Sequence, residues 1–102
     1  MSQVRGMLSQ DLEERLKRGE SLQIIDVREP QEVASGMIPG AKNIPLGQLP
    51  ERYREIDPNR ETVMVCRSGA RSERACQFLL SQGYTQVWNL MGGMLGWRGP
   101  TA

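Results

Sequence analysis

Short apolar runs alternate along the chain with longer stretches whose apolar positions recur at helical spacing, and glycines and prolines mark the boundaries between them. Leu22 to Val27 and Thr62 to Val65 read as buried strands, and Val87 to Leu90 as a last one. Helical patterns lie between them. Ser9 is placed to cap a first helix over about Gln10 to Arg18, which Gly19 ends. Pro30 suits the first turn of a short helix, Gln31 to Ser35, stopped by Gly36. Pro50 to Ile56 fits another, and Asp57-Pro58-Asn59 a turn into the strand that follows.

From Ser72 to Gln82 the apolar Ala75, Cys76, Phe78, Leu79 and Leu80 share one arc, with Glu73, Arg74, Gln77 and Ser81 opposite, and Gly83 closes the helix. Between Ile38 and Pro50 the prolines and glycines predict irregular chain, with room for a short strand at Asn43-Ile44. Gly92 to Trp97 predicts a final helical turn and Gly99 to Ala102 a loose tail. Strands alternating with helices in this way mark an α/β domain with a mainly parallel sheet.

The chain has 102 residues, so 1–102 is expected to form a single domain. That length buries a little under about two-thirds of its unfolded surface without disulfides or metals as staples. Formal charge is +1, from 13 basic and 12 acidic residues, so no global field recruits nucleic acid or a membrane. Met1 to Met7 lacks the apolar stretch of a signal peptide, and no run approaches the roughly 18 apolar residues of a membrane span. A reducing, cytoplasmic setting is the expectation. Cys66 and Cys76 are not in a CxxC pair and give neither a disulfide framework nor a zinc spacing; no metal or other cofactor is expected. The sequence leaves the oligomeric state open.

The histidine count is zero, and this excludes more than any other composition fact. No Cys-His dyad, Ser-His-Asp triad or His-ligated metal can form. Any general base is a carboxylate, a thiolate, or a group of the substrate itself.

Against that background the run Cys66-Arg67-Ser68-Gly69-Ala70-Arg71-Ser72 carries the chemistry, because it joins the strand ending at Val65 to the helical pattern from Ser72. Cys66 is the candidate nucleophile. Free cysteine, with a pKa of about 8.5, is roughly 3% ionised at pH 7, so a useful thiol needs that value lowered. A strand-to-helix turn supplies inward N–H groups and the positive end of a helix dipole. Lowering the pKa by about two units needs about 1.36 kcal/mol per unit, and the dipole alone, below about 1 kcal/mol, falls short. The loop amides and the charges of Arg67 and Arg71 are therefore expected to carry much of the change. Gly69 is expected to take a backbone conformation closed to other residues. In parallel sheets ligands bind beyond the carboxyl ends of the strands. Asp26, Val27 and Arg28 end their strand as Cys66 ends its own, which places Asp26 and Arg28 on the same rim as supporting residues.

Segments along nearly the whole chain resemble the rhodanese-like sulfurtransferases, in the family's order. Asp26 to Glu29 resembles the first motif, Gly36 to Pro45 the second, Cys66 to Ser72 the active-site loop, and Gly92-Gly93 with Trp97 the closing motif. The resemblance implies a small, mainly parallel sheet flanked by helices on both faces, with Cys66 carrying sulfane sulfur. It implies a thiosulfate sulfurtransferase: the Cys66 thiolate takes the outer sulfur of a small anionic donor such as thiosulfate, sulfite leaves, and a thiol or cyanide accepts the sulfur from the persulfide. A protein persulfide is an alternative donor. Arg67, Ser68, Gly69, Ala70, Arg71 and Ser72 are then the substrate- and persulfide-binding loop, with Arg71 either holding the donor or tied to Asp26 or a nearby carbonyl.

One departure is Met37, where the family commonly has histidine. Cysteine phosphatases carry C-x5-R, and the C-x4-R of Cys66 to Arg71 narrows the cradle, which disfavours phosphatase or arsenate-reductase chemistry. The remaining alternative is a catalytically silent module of the same fold, which usually lacks the cysteine. Cys76 reads as a small buried hydrophobe, and Trp88 and Trp97 as packing residues. Glu13, Glu14, Arg15, Lys17 and Arg18 read as a solvated helix face, and Glu29 and Glu32 as candidates to pair with the loop arginines.

Overall fold

The computed structural model describes residues 4–102, so the first part of Met1 to Met7 lies outside the described residues. In chain order the elements are β1 (Arg5–Met7), α1 (Ser9–Lys17), β2 (Gln23–Asp26), α2 (Pro30–Val33), β3 (Lys42–Asn43), α3 (Leu49–Arg52), β4 (Thr62–Val65), α4 (Ala70–Ser81) and β5 (Val87–Leu90). Short 3-10 turns occupy Leu46–Gln48, Tyr53–Glu55 and Gly93–Gly96. The strands form one sheet in the order β1-β5-β4-β2-β3, with every pairing parallel.

β4 is flanked on both edges, by β2 (Ile25 beside Met64, Asp26 beside Val65) and by β5 (Met64 beside Asn89). Covered on both faces as well, its interior must be apolar, which is why Val63, Met64 and Val65 after Thr62 form an unbroken run rather than alternating with polar residues. The pleat divides them. Val63 and Val65 join Met7, Leu12, Ile24, Ile38, Leu90 and Trp97 on one face. Met64 and the following Cys66 join Ile25, Val27, Leu49, Ala75, Cys76 and Leu79 on the other. α1 and the turn at Gly93–Gly96 cover the first face and α3 and α4 the second, so the sheet is flanked by helices on both faces. Parallel pairing sends the carboxyl ends of β2, β4 and β5 to one edge.

Several boundaries differ from the sequence pattern for local reasons. Ser9 lies inside α1; the cap position is Leu8, whose carbonyl accepts from the N–H groups of Asp11 and Leu12. α2 begins at Pro30 and ends at Val33. Glu29 caps it reciprocally, donating its N–H to Glu32 Oε1 at 2.9 Å. The helix expected at Pro50 to Ile56 breaks after Arg52, and the Tyr84 hydroxyl reaches the carbonyls of Tyr53 and Ile56 at 2.9 and 2.7 Å. β3 sits at Lys42–Asn43, one residue earlier than Asn43-Ile44. β1 was not foreshadowed: three residues centred on a glycine carry little strand pattern, and the pairing with β5 creates the strand.

The tail is not loose. Trp97 is buried and its indole N–H needs an acceptor, which is the Pro100 carbonyl at 2.9 Å. Ala102 and Met37 then exchange two backbone hydrogen bonds, at 2.8 and 3.1 Å. Arg15 departs from the solvated face: it is half-buried, forks onto Glu61 and reaches Glu20, while Glu61 also accepts the Trp88 indole N–H at 2.7 Å. Trp88 packs beneath the Arg5 guanidinium, 4.0 Å from the ring centre. Among the described residues no helix is long and apolar enough to cross a membrane.

Cys76 is fully buried on the α4 face of the core, as its place on the apolar arc predicts. Cys76→Ala should lower stability by about 1 kcal/mol through one lost buried atom, measured by denaturant melts, and leave the reactivity of Cys66 unchanged.

Candidate active site

Cys66 directly follows β4, so its backbone is fixed by the sheet and its side chain points into the α4 side of the core. The chain must then reverse into α4 within a few residues. It does so at Gly69, with φ of 110°, a conformation that side-chain-bearing residues rarely adopt. This turn starts α4 at Ala70, earlier than the apolar pattern suggests. It also aims the Gly69 N–H at Cys66 Sγ, 3.0 Å away. Ser72, one turn into the helix and fully buried, brings its hydroxyl oxygen within 3.2 Å of the same sulfur.

Burial is the largest influence on the thiol and pushes its pKa up. The Ser72 hydroxyl and the N–H groups of Ser72, Gly69 and Ser68 act against it and together hold Cys66 below the ordinary cysteine value. Cys76 is the internal control. It belongs to the same core cluster without those donors, and burial pushes it up to about 12. Within one core cluster, the donors aimed at Cys66 set the direction of its shift apart from that of Cys76.

The arginines act differently from the expectation. Arg71 is neither tied to Asp26 nor to a carbonyl: it makes a two-pronged ion pair with Glu32, one of the two carboxylates expected to pair with the loop arginines, at 2.7 and 2.8 Å, anchoring the start of α4 to α2. That bond, first among several, holds the Glu32 carboxyl down to about 2. The guanidinium still feels the Cys66 sulfur through charge, but among the described residues its hydrogen bonds go to Glu32 and none goes to the sulfur. Arg67 is exposed at the surface of the loop and has no side-chain hydrogen bond or ion pair among the described residues. Ser68 and Ala70 are exposed too, and Ser68 serves the sulfur through its backbone.

Asp26 and Arg28 do end β2 on the same edge of the sheet as Cys66, yet they close on each other. Arg28 Nη2 donates to Asp26 Oδ2 at 2.8 Å and to the Gly36 carbonyl at 2.9 Å, and both residues are buried. The pair ties β2 to the segment after α2. Arg28 also lines, with Arg67, Glu32, Ser35, Met94 and Leu95, a cleft of about 370 Å³ beside the loop. Met37 engages through its backbone, to Ala102. Among the described residues no cluster of three or more His, Cys, Asp or Glu could hold a metal.

Two supports escape a motif-by-motif reading. The turn Gly93–Gly96 lies under the loop, where Met94 donates its N–H to the Cys66 carbonyl at 2.9 Å and Leu95 to the Arg67 carbonyl at 3.0 Å. A trans peptide points its C=O and N–H in opposite directions. Pinning the Arg67 carbonyl to Leu95 therefore turns the Ser68 N–H the other way, toward the sulfur. The approach is so close that a Cβ on Gly93 would lie 2.5 Å from both carbonyl oxygens. The second support is Asn89, whose Nδ2 donates to the Gly69 carbonyl at 3.0 Å and whose Oδ1 accepts from the Ser72 hydroxyl at 2.5 Å. Its signal in the sequence was a buried polar residue in an otherwise apolar strand.

The geometry is that of a sulfur anion held by peptide N–H groups in a chain without imidazole, and the sequence matches the Rhodanese-like domain over residues 8–100. The chain belongs to the rhodanese-like domain family. It is 46% identical to a protein named "Sulfurtransferase" from Allochromatium vinosum, covering 87% of this chain and 83% of that one. It is 32% identical to a "Thiosulfate sulfurtransferase GlpE" from Pseudomonas putida, covering 81% of this chain and 76% of that one. A crystal structure of a rhodanese-like domain protein from Staphylococcus aureus superposes with a TM-score of 0.91 at 30% identity, covering 97% of each chain. The parallel sheet with helices on both faces is thus the rhodanese-like fold, and relatives named sulfurtransferases support a transferase.

In this rhodanese-like domain the Gly93 contact sets the loop's orientation. Gly93→Ala should displace the carbonyls of Cys66 and Arg67 and slow alkylation of Cys66 at pH 7 by about tenfold, with a folded circular dichroism spectrum; wild-type reactivity would refute the pinning role.

Proposed function

We propose that this rhodanese-like domain is a sulfurtransferase that carries sulfane sulfur on Cys66. The observation that carries the reading is the convergence of the Gly69, Ser68 and Ser72 N–H groups and the Ser72 hydroxyl on one sulfur atom. Such a ring favours an anion there without an imidazole base.

In the first step the Cys66 thiolate attacks the outer sulfur of an anionic donor such as thiosulfate. The new Sγ–S bond forms with the thiolate's electron pair, the donor's S–S bond breaks, and sulfite leaves with that pair. The negative charge now resides on the outer sulfur of the Cys66 persulfide. In the second step an acceptor thiolate, or cyanide, bonds to that outer sulfur and the Cys66 thiolate is released. No proton needs to move in either displacement, which suits a chain with no histidine. Arg67, exposed and without an ion-pair partner among the described residues, is the group free to meet an anionic donor, whereas Arg71 is engaged by Glu32. The name of the GlpE relative favours thiosulfate as the donor. A protein persulfide is the alternative donor, and the cleft that Arg67 and Leu95 line lies beside the loop. A reducing, cytoplasmic compartment keeps Cys66 and Cys76 as thiols.

Mass spectrometry after incubation with thiosulfate tests the reading. A gain of one sulfur on the peptide containing Cys66, lost again on adding cyanide or a thiol and absent in Cys66→Ser, is the expected result. No gain from thiosulfate, a mercaptopyruvate-type donor or a cysteine desulfurase would instead leave a module that only binds.

A further inference from the structure

Ser72 stands between two acceptors. Its buried hydroxyl oxygen lies 2.5 Å from Asn89 Oδ1 and 3.2 Å from Cys66 Sγ, and a hydroxyl has one proton to give. Asn89 cannot relieve the conflict by turning its amide over. Its Nδ2 donates to the Gly69 carbonyl, a group that only accepts, so Oδ1 is the atom that faces Ser72 and it too only accepts.

Counting protons in the two states of Cys66 gives different answers. With a thiol every group is served: the S–H donates to Ser72 Oγ, and the Ser72 proton goes to Asn89. With a thiolate one proton is missing. Either the hydroxyl stays on Asn89 and turns a lone pair toward the anion, or it swings to the sulfur and leaves a buried amide oxygen facing another oxygen. We propose that Asn89 is a positioning residue that competes with the Cys66 thiolate for the single proton of Ser72 and so restrains ionisation of the resting sulfur.

The consequence for the cycle rests on the sulfur-transfer reading above. When Sγ bonds to a second sulfur, the charge moves to the outer atom and Sγ no longer demands a donor. The Ser72 hydroxyl then returns to Asn89 by rotation about its Cβ–Oγ bond. Asn89 thus destabilises the thiolate relative to the persulfide, biasing the domain toward the loaded state.

The electrostatic frame around the sulfur is independent of this switch. Arg71 of α4 is held by Glu32 of α2, the Asp26–Arg28 pair of β2 is closed on itself, and Cys76 of α4 is the neighbouring thiol. Arg67 follows Cys66 in the loop. None of these side chains hydrogen-bonds to Ser72 or Asn89 among the described residues.

The test is the pH dependence of iodoacetamide alkylation of Cys66 in four proteins: wild type, Asn89→Leu, Ser72→Ala and the double variant. Asn89→Leu should lower the midpoint by about half to one pH unit, the effect of removing one competing hydrogen bond. In the Ser72→Ala background the same substitution should not lower the midpoint, because no hydroxyl remains to compete for; the loss of the Asn89 bond to the Gly69 carbonyl is common to both backgrounds and cancels in the comparison. Asn89→Ala gives the same readings should leucine fail to fold. An unchanged or raised midpoint in the Asn89 variants, or an equal fall without Ser72, would overturn the proposal. Alkylation needs no sulfur donor, so a wild-type chain that never gained sulfur would sink the transfer reading and leave the proton competition standing.

Discussion

For the proposed sulfur transfer a buried sulfur must bear negative charge in a chain that has no histidine, and the bonds around Cys66 meet that constraint. Burial without donors pushes a thiol's pKa up, and it is the largest influence on Cys76. An ionised sulfur in the same core therefore needs several donors aimed at it from fixed positions, since an unpaired charge there is far more costly than an unpaired dipole. Peptide N–H groups meet the need because they carry no charge of their own to bury and their direction is set by the backbone.

Fixing those directions takes contributions from distant parts of the chain. The parallel order β5-β4-β2 brings the ends of three strands to one edge, with Cys66 at the centre. From the β5 side come Asn89 and the Gly93–Gly96 turn, which grip the carbonyls of Gly69, Cys66 and Arg67. From the β2 side comes Glu32, which grips Arg71 at the start of α4. The carbonyl of Arg67 held on the outside turns the Ser68 N–H inward, and the grips on Cys66 and Gly69 fix the two ends of the loop. Gly69 permits the turn, and Gly93 permits the turn beneath it to come close enough.

What was legible in the sequence were features with a local signature. Apolar runs at Thr62–Val65 and Val87–Leu90 and the arc of α4 follow from burial on one or both faces, and they foretold sheet, helix and junction. The candidate nucleophile followed from its place at that junction. Features created by tertiary contact were not legible: β1 exists because β5 offers it a ladder, and the tail is ordered because Trp97 and Met37 supply partners. The arginines misled for the same reason. Two positive charges beside a cysteine suggest a field, and the sequence offers Glu29 and Glu32 as partners for them without showing that Glu32 takes up Arg71 and leaves Arg67 free among the described residues. The role of Asn89 is not legible in the sequence because it depends on Ser72 and Gly69, which meet it only in the fold.

The central claim is that oriented backbone and hydroxyl donors, rather than the charges of Arg67 and Arg71, ionise Cys66. The most direct measurement is the thiol titration of Cys66 at low and at high salt, since about 1 M salt screens surface charges within about 3 Å but leaves buried hydrogen bonds intact. The account predicts a pKa below the free-cysteine value of about 8.5 that is nearly independent of salt. A value at or above that of free cysteine, or a depressed value that returns to it as salt is added, would contradict the account.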